Sequence, residues 1–331
     1  MEEATIDVRN GGLVISLDFE LNWGVHDVFR DGQYDENLLG VRAALPKILA
    51  LFEKYDIHAT WATVGLLFAN TKAEMTHYLR TIPVKYEEML YAAYTQLEHV
   101  GENEQQDPLH FGQSLIEQII RTPHQEIGTH TFSHFYCLEN GQTEMDFRAD
   151  LQATKGITVD QIADMKSIVF PRNQINPRYF TACKEVGLLC YRGNEEHILY
   201  KATKFTDKNI LLRIGKLLDT YINISGHHII RLEDMQKEAF INVRSSVFLR
   251  PYCAFLKGLE GLKVRRIKAG MLKAAKEGAY YHLWWHPHNF GKHTDQNLAI
   301  LERLLQYYKE LNKNYNFQSY SMQEVAMLCR Q

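Results

Sequence analysis

The stretch Leu13-Val-Ile-Ser-Leu-Asp18-Phe-Glu20 combines an apolar run with two carboxylates at its end. The apolar run predicts a buried strand, and the spacing of two between Asp18 and Glu20 directs both carboxylates to the same side. Carboxylates are costly in a core unless they are paired or bound to a metal, whereas at the end of a strand they are available for chemistry. The stretch therefore predicts a core strand with a reactive end. Helix capping by Asp18 is the alternative.

Strand-like segments alternate with helical patterns over most of the chain, which favours parallel strands joined by helical crossovers. Seven or eight such units suit a closed β/α barrel better than an open sheet. The predicted strands are residues 13–17, 57–64, 126–129, 167–170, 188–192, 228–232, 279–285 and 317–320. The predicted helices are residues 38–54, 111–121, 177–186, 264–276 and 294–311.

The domain organisation is predicted to be simple. No repeat, low-complexity tract or linker interrupts the pattern, so residues 1–331 are expected to form a single domain. Two stretches, residues 71–110 and 233–262, break the alternation and are expected to be insertions over one end of the barrel. Either stretch could form a substrate lid, and the alternative is that they are ordinary surface helices.

The composition excludes several classes of protein. With 45% hydrophobic and 23% charged residues, the chain has a globular balance, and its net charge of −3 gives no basic footprint for nucleic-acid binding. No apolar stretch approaches the roughly 20 residues that span a bilayer, and the N-terminus lacks the pattern of a secretory signal. Five cysteines without a Cys-x-x-Cys pair are typical of reduced thiols. We therefore expect a cytoplasmic protein with no transmembrane segment.

The run Glu126-Ile-Gly-Thr-His130-Thr-Phe-Ser-His134 places two histidines four residues apart. On one helical turn, two such imidazoles lie about 5–6 Å apart and can bind one cation. A third ligand must come from elsewhere, and Asp18 and Glu20 can share the tasks of ligand and free base. The alternative is a histidine pair on the surface or satisfied within the core.

Two further clusters follow predicted strands, where catalytic residues of β/α barrels collect. In Phe170-Pro-Arg172-Asn173, Arg172 is expected to pair with a carboxylate and hold it ionised, with a surface ion pair as the alternative. In residues 281–291, His286 and His288 are candidates for the acid that protonates a leaving amine. The alternative is that these are structural histidines that form hydrogen bonds with the backbone.

A third cluster, residues 249–252, contains Arg250. Its guanidinium is expected to reach an anionic or polar group of the substrate. An external ion pair is the alternative.

These motifs resemble those of the polysaccharide deacetylases of the NodB-homology group, the fourth carbohydrate esterase family. The resemblance is to a branch found among surface-polysaccharide biosynthesis proteins, such as those of O-antigen or capsule. Five motifs occur in family order: Ser16-Leu-Asp-Phe-Glu20, Ile57-His-Ala-Thr-Trp-Ala-Thr-Val-Gly65, His130-Thr-Phe-Ser-His134, Phe170-Pro-Arg172 and Leu283-Trp-Trp-His286-Pro.

The resemblance implies a distorted β/α barrel that removes N-acetyl groups from amino sugars with one divalent metal ion, expected to be zinc. It implies that Asp18 is the general base, that His130 and His134 are metal ligands, that Arg172 tunes the base and that His286 is the general acid. One departure concerns the third ligand. The common motif has two adjacent aspartates, whereas Phe19 follows Asp18 here, and Glu20 is the nearest replacement.

The same resemblance suggests how a substrate would be held. A metal bound by Glu20, His130 and His134 would activate water and polarise the acyl carbonyl. A backbone N–H near Asn173 is expected to help to hold the tetrahedral intermediate. The aromatic rings of Trp23 and Trp284 offer faces for a pyranose ring, with Arg250 and His288 as further binding residues.

We expect a metal-dependent hydrolase that removes an N-acyl group from an amino sugar, either a small molecule or a glycan. Because no export signal is recognised, a nucleotide-linked, lipid-linked or nascent substrate is expected, with peripheral contact to a lipid carrier in the second case. One alternative is a metal-independent hydrolase of another C–N bond, such as a cyclic amide or ureide. The other is a catalytically idle sugar-binding relative. The sequence gives no oligomeric state.

Overall fold

The strands form one parallel sheet in a computed structural model, which describes residues 11–29, 32–162, 164–201 and 210–331. The described strands are β1 Gly12–Phe19, β2 Ala59–Thr63, β3 Gln125–Thr129, β4 Ser167–Ile168, β5 Cys190–Tyr191, β6 Ile241–Asn242, β7 Val247–Phe248, β8 Tyr280–Trp285 and β9 Gln318–Tyr320. Their order is β6-β5-β4-β3-β2-β1-β8-β7, and β9 pairs with the start of β1. The predicted parallel sheet is confirmed.

The segment between β6 and β7 curls the sheet into a distorted barrel. The backbone N–H of Val243 donates to the carbonyl of Tyr191 on β5 at 2.9 Å, and that of Ser246 donates to the carbonyl of His282 on β8 at 2.8 Å. One short segment thus connects the two sides of the sheet. The predicted barrel class is confirmed, with eight strands along the path and β9 beside them in the described residues.

Helices cover the outer face of the sheet. In α1, apolar residues recur at the three- and four-residue spacing of one helical face, and Val41, Leu45, Ile48 and Phe52 are buried. The helices are α1 Asp35–Tyr55, α2 Lys72–Leu79, α3 Gln113–Arg121, α4 Glu144–Thr158, α5 Phe180–Glu185, α6 Ile210–Tyr221, α7 Leu232–Gln236, α8 Glu260–Glu277, α9 Thr294–Tyr315 and α10 Met322–Leu328. The predicted helices correspond to α1, α3, α5, α8 and α9, whereas α2, α4, α6, α7 and α10 were not predicted.

Two apolar clusters result from the alternation of side chains along the strands. The larger cluster lies between strands and helices and contains Leu13, Ile15 and Leu17 of β1. The smaller one contains Val14 of β1 together with Met322 and Val325 of α10. Because Val14 lies on the same side of β1 as Ser16 and Asp18, α10 closes the barrel at the end opposite to the carboxylates.

Residues 228–232 were expected to be a strand, and this prediction is wrong. Ile230 forms only an isolated antiparallel bridge with Tyr280, and α7 begins at Leu232. His228 has φ of 48°, which is outside the extended region and interrupts a strand there.

The two expected insertions differ. Residues 71–110 form α2 and short helical turns, whereas residues 233–262 contain β6 and β7 and so contribute partly to the barrel itself. Their role as lids stays a prediction, as does the single domain over residues 1–331. None of the described helices is both long and apolar enough to cross a membrane.

Candidate active site

Asp18 lies at the end of β1 and is held by Arg192, which follows β5. Arg192 donates from Nη1 to Asp18 Oδ1 at 2.6 Å and from Nη2 to Oδ2 at 2.7 Å, and both side chains are buried. Burial raises the pKa of Asp18, but the Arg192 guanidinium and then His130 and His286 lower it, and the net pKa lies below its usual value. Asp18 is therefore an ionised carboxylate in a fixed orientation.

Arg192 is itself fixed by other groups. It donates to Ser16 Oγ and to Asn173 Oδ1, both at 3.0 Å, and its guanidinium lies 4.1 Å from the centre of the Trp284 ring. A planar guanidinium with this many partners holds a carboxylate more rigidly than a single ammonium group would.

The expectation that Arg172 tunes the base is wrong. Arg172 forms an ion pair with Asp27 and donates to the carbonyl of Gly24 at 3.3 Å. Arg172 and Asn173 follow Pro171 with φ of 55° and 52°, and this turn directs the Arg172 side chain away from Asp18. Sequence reasoning missed Arg192, although it ends the predicted strand 188–192 and could have been found from that position.

Glu20, His130 and His134 converge on one point beside Asp18. Glu20 Oε2 lies 3.2 Å from Nε2 of each histidine, and the three potential ligand atoms are within 4.8 Å of one another. Burial raises the pKa of Glu20, but His286, His130 and His134 lower it to a value well below its usual one. The site thus brings one carboxylate and two imidazoles together.

The two histidines were expected on a helical turn, but they lie on a loop after β3. Thr131 and His134 have φ of 63° and 57°, which excludes a right-handed helix. Asp150 of α4 fixes the loop by accepting the backbone N–H of Ser133 at 3.0 Å and its hydroxyl at 2.5 Å. The imidazole centres are 5.1 Å apart, so the loop gives the separation that was expected of a helix.

The hydrogen bonds of the histidines indicate that this site fits a cation. His130 Nδ1 lies 2.8 Å from the carbonyl of Val169 and must donate to it, so in the neutral ring Nε2 carries a lone pair. That lone pair faces Glu20 Oε2, which also carries lone pairs, and a positive charge between them removes their repulsion. His134 Nδ1 is buried and has no hydrogen-bond partner among the described residues.

Burial also favours the neutral form of the His134 imidazole. Its pKa is lowered to about 4, because burial disfavours the charged form more strongly than Glu20 favours it. A neutral imidazole is the form that binds a metal.

Two neighbouring residues position Glu20. Phe19, where the common motif has an aspartate, is buried in the outer core and its ring contacts that of Trp61 edge to face at 6.4 Å. Gly24 leaves the space for the Glu20 carboxyl group, since a Cβ at position 24 would lie 2.0 Å from Glu20 Cδ.

His286 follows β8 and approaches both carboxylates. Its Nε2 lies 3.7 Å from Asp18 Oδ2 and 3.5 Å from Glu20 Oε1, and 23% of its side chain is exposed. His288 stacks on it at 4.9 Å and is buried, and burial lowers its pKa to about 3. The more exposed His286 is therefore better placed to exchange a proton with a substrate.

These groups line a cavity of about 390 Å³, with Asp18, Glu20, His134, Arg172, Asn173, Trp284, His286 and His288 in its wall. Two predicted substrate contacts lie elsewhere. Trp23 is fully buried and its Nε1 donates to the carbonyl of His110 at 2.9 Å, so its ring has no free face. Arg250 lines a neighbouring cavity. The backbone N–H of Asn173 donates to Phe170 at 2.9 Å and is not free for an oxyanion.

Comparisons with known proteins identify the family of this domain and its fold. Residues 29–190 match the family model for polysaccharide deacetylases. The chain carries a polysaccharide deacetylase domain. The match to this deacetylase domain includes His130 and His134, whereas Asp18, Glu20, Arg192 and His286 lie outside the matched residues. Their placement beside the two histidines rests on the structure.

Solved structures confirm the fold of the deacetylase domain. A protein from Mycobacterium smegmatis described as a polysaccharide deacetylase has a TM-score of 0.58 at 14% identity, and the match covers 97% of this chain and 91% of that one. One from Pseudomonas aeruginosa PAO1 with the same description has a TM-score of 0.51 at 12% identity, with 97% and 91% covered. Puue allantoinase has a TM-score of 0.51 at 13% identity, with 97% and 90% covered. A search of curated proteins gave no match.

Proposed function

We propose that this protein is a metal-dependent hydrolase that removes an N-acyl group, first of all N-acetyl, from an amino sugar. The observation that carries the proposal is the convergence of Glu20, His130 and His134 on one point beside an ionised Asp18. Two imidazoles and one carboxylate are the ligand set of many hydrolytic zinc sites. Zinc is the ion that we propose.

The chemistry divides between the metal and the side chains. When bound, the ion would act as a Lewis acid on the acyl carbonyl and lower the pKa of water. Asp18 takes the proton from the attacking water, because it is ionised and Arg192 holds it in place. His286 protonates the departing nitrogen, since its Nε2 faces the same space as both carboxylates.

Among the aromatic residues of the cavity wall, Trp284 is the partner that we propose for the sugar ring. Trp284 is 9% exposed and stacks on Arg192, which fixes the position of the ring. An indole at the wall of a polar cavity suits the apolar face of a pyranose. The Trp284 ring would place the N-acyl group toward Asp18 and His286.

The proposed setting is glycan or surface-polysaccharide biosynthesis in the cytoplasm. The substrate is an amino sugar on a small carrier or a growing glycan, and peripheral contact with a lipid-linked form belongs to the proposal. The family match supports the substrate class.

Elemental analysis combined with an acetate-release screen over amino-sugar donors tests the proposal. We expect about one equivalent of metal in the native protein and loss of metal in His130→Ala and His134→Ala, because two remaining ligands are too few for a tight site. His99→Ala, which changes an exposed histidine, is the matched control. Full metal occupancy in both ligand variants, or turnover that survives metal removal, would overturn the proposal.

A further inference from the structure

A second cavity of about 230 Å³ adjoins the active-site cavity. The two cavities share four wall residues: Arg172, Asn173, Phe248 and Trp284. The remaining wall comes from residues after β5, from α6 and from the segment after β7. Because Trp284 borders both cavities, a sugar beside its ring would extend its substituent into the second cavity.

The second cavity has an excess of positive charge. Lys201, Lys216 and Arg250 line it together with one carboxylate, Glu195. Arg172 adds no net charge, because it is paired with Asp27. Three cations and one carboxylate leave two positive charges in the wall.

Two of these cations form no close ion pair among the described residues. Arg250 donates from Nε to Thr220 Oγ1 at 2.8 Å, and among the described residues no carboxylate lies within 4.0 Å of the charged nitrogens of Arg250 or Lys216. Burial lowers the pKa of Lys216, the nearby Glu195 carboxylate raises it, and the charge of Arg250 lowers it again, with a net pKa below its usual value. Half-buried cations that form no close ion pair are stabilised by a bound anion.

Helix α6 connects this cavity to an exposed apolar surface. Lys216 and Thr220 face the cavity, while Ile210, Ile214, Leu217 and Leu218 are 38–68% exposed on another side of the same helix. Phe255, which follows Arg250 closely in the chain, is 94% exposed. An exposed apolar helix side with basic residues beside it is a feature of helices that bind at the interface of a lipid bilayer.

We propose that the second cavity binds the diphosphate that joins the amino sugar to a membrane lipid, and that the apolar side of α6 rests on the bilayer. The proposal rests on the deacylase function proposed above and names its substrate class. A diphosphate diester carries two negative charges, which balance the two positive charges of the cavity wall, whereas a sugar carboxylate carries only one. The exposed side of α6 favours a lipid carrier over a free nucleotide.

Calorimetric titration with inorganic pyrophosphate tests the cavity. Lys216→Gln and Arg250→Gln are each expected to weaken binding about tenfold or more, because each removes a charge-assisted contact. Lys276→Gln removes an exposed cation of α8 and is expected to bind as the native protein does. The Glu20→Gln variant, which lacks a metal ligand, is expected to retain binding. Equal affinity in the native, Lys216 and Arg250 proteins, or loss of all binding in Glu20→Gln, would overturn the assignment.

Co-sedimentation with phosphatidylcholine vesicles that contain a minor fraction of phosphatidylglycerol tests the apolar surface. The double variant Ile214→Ser with Leu218→Ser is expected to lose at least fivefold in vesicle affinity while its pyrophosphate affinity stays unchanged, which shows that it is folded. Ile120→Ser, at a 42% exposed position on α3, is the control. No vesicle binding by the native protein, or a dimer that the double variant loses, would show that α6 faces something other than a bilayer.

Turnover distinguishes the carriers. The Arg250→Gln change is expected to raise KM for a polyprenyl-diphosphate-linked amino sugar about tenfold with little change in kcat, and to raise KM for the free N-acetyl amino sugar much less. A higher kcat/KM for a nucleoside-diphosphate-linked donor would overturn the lipid assignment. If pyrophosphate and vesicles bind as expected but no donor releases acetate, the deacylase proposal fails and the binding sites stand.

Discussion

Arg192 and Asp18 form a two-point ion pair in which each guanidinium nitrogen meets a different carboxylate oxygen, at 2.6 and 2.7 Å. Because both side chains are buried, this pair fixes the charge and the direction of the carboxylate together. The remaining lone pairs of Asp18 face His286 and the cavity. A base held this way meets a water molecule in one orientation only.

Replacing Arg192 should therefore move the pH profile. Arg192 lowers the pKa of Asp18, so in Arg192→Gln that pKa rises, and the acid limb of kcat/KM should shift upward by about 1–3 pH units. Steady-state kinetics between pH 4 and pH 9, with buffers of constant ionic strength, give the measurement. Arg172→Gln should leave the limb in place. A shift in the Arg172 variant instead would return the tuning role to that residue.

Gly24→Ala should weaken metal binding without unfolding the barrel. A Cβ at position 24 would lie 2.0–2.5 Å from three side-chain atoms of Glu20, so the carboxyl group must move away from His130 and His134. We expect a loss of at least tenfold in metal affinity, measured by competition with a chromogenic chelator. Gly258→Ala is the matched control, because a Cβ there meets no atom within 4 Å. Equal affinity in both variants would show that Glu20 is not a ligand.

Asp18→Asn and His286→Ala should separate the base from the acid. The amide in Asp18→Asn keeps the shape of the side chain but cannot accept the proton of water, so metal binding should persist while turnover falls by 10² or more. His286→Ala should lose most activity on amides and much less on an activated ester, whose leaving group needs little protonation. A selective amide defect in His288→Ala, with equal losses in His286→Ala, would assign the acid to His288.

His282 should make the protein less stable in acid. It is buried between the Val243 carbonyl at 2.9 Å and Ser16 Oγ at 2.8 Å, and burial lowers its pKa to about 3. In the unfolded chain this histidine binds a proton as the pH falls below about 6.5, whereas in the folded protein it stays neutral there. The free energy of unfolding therefore falls as pH falls below about 6.5. The loss attributable to this residue is about 2 kcal/mol at pH 5. Urea unfolding of the native protein, His282→Gln and the exposed control His99→Gln at pH 5 and pH 7 should show a smaller pH dependence only for His282→Gln.

The sequence predicted which residues lie at strand ends better than it predicted which side chains they contact. Asp18, Glu20 and His286 follow strongly apolar strands, and parallel strands bring such ends to one edge, so their proximity could be predicted. The choice between Arg172 and Arg192 could not be predicted, because both lie at the ends of predicted strands. It is decided by the positive φ angles of Arg172 and Asn173, which follow from the packing of a turn.

Side-chain direction explains the other errors. Trp23 and Trp284 are equally aromatic, but only the second has an exposed edge in the cavity, since a helical turn after Glu20 carries Trp23 inward. The spacing of His130 and His134 fits a helix as well as a loop. The loop depends on Asp150, which lies on a helix that the sequence pattern did not reveal.

The pairing of β1 with β8 and β9 has a consequence for how the chain folds. Leu13 is in register with Tyr281 and Ser319, so β1 acquires its neighbours β8 and β9 only after the long stretch of chain between them has been made. Contacts between residues so far apart slow folding and leave an apolar strand edge uncovered in the meantime. During synthesis β1 therefore depends on early pairing with β2, or on a chaperone, to avoid association with other chains.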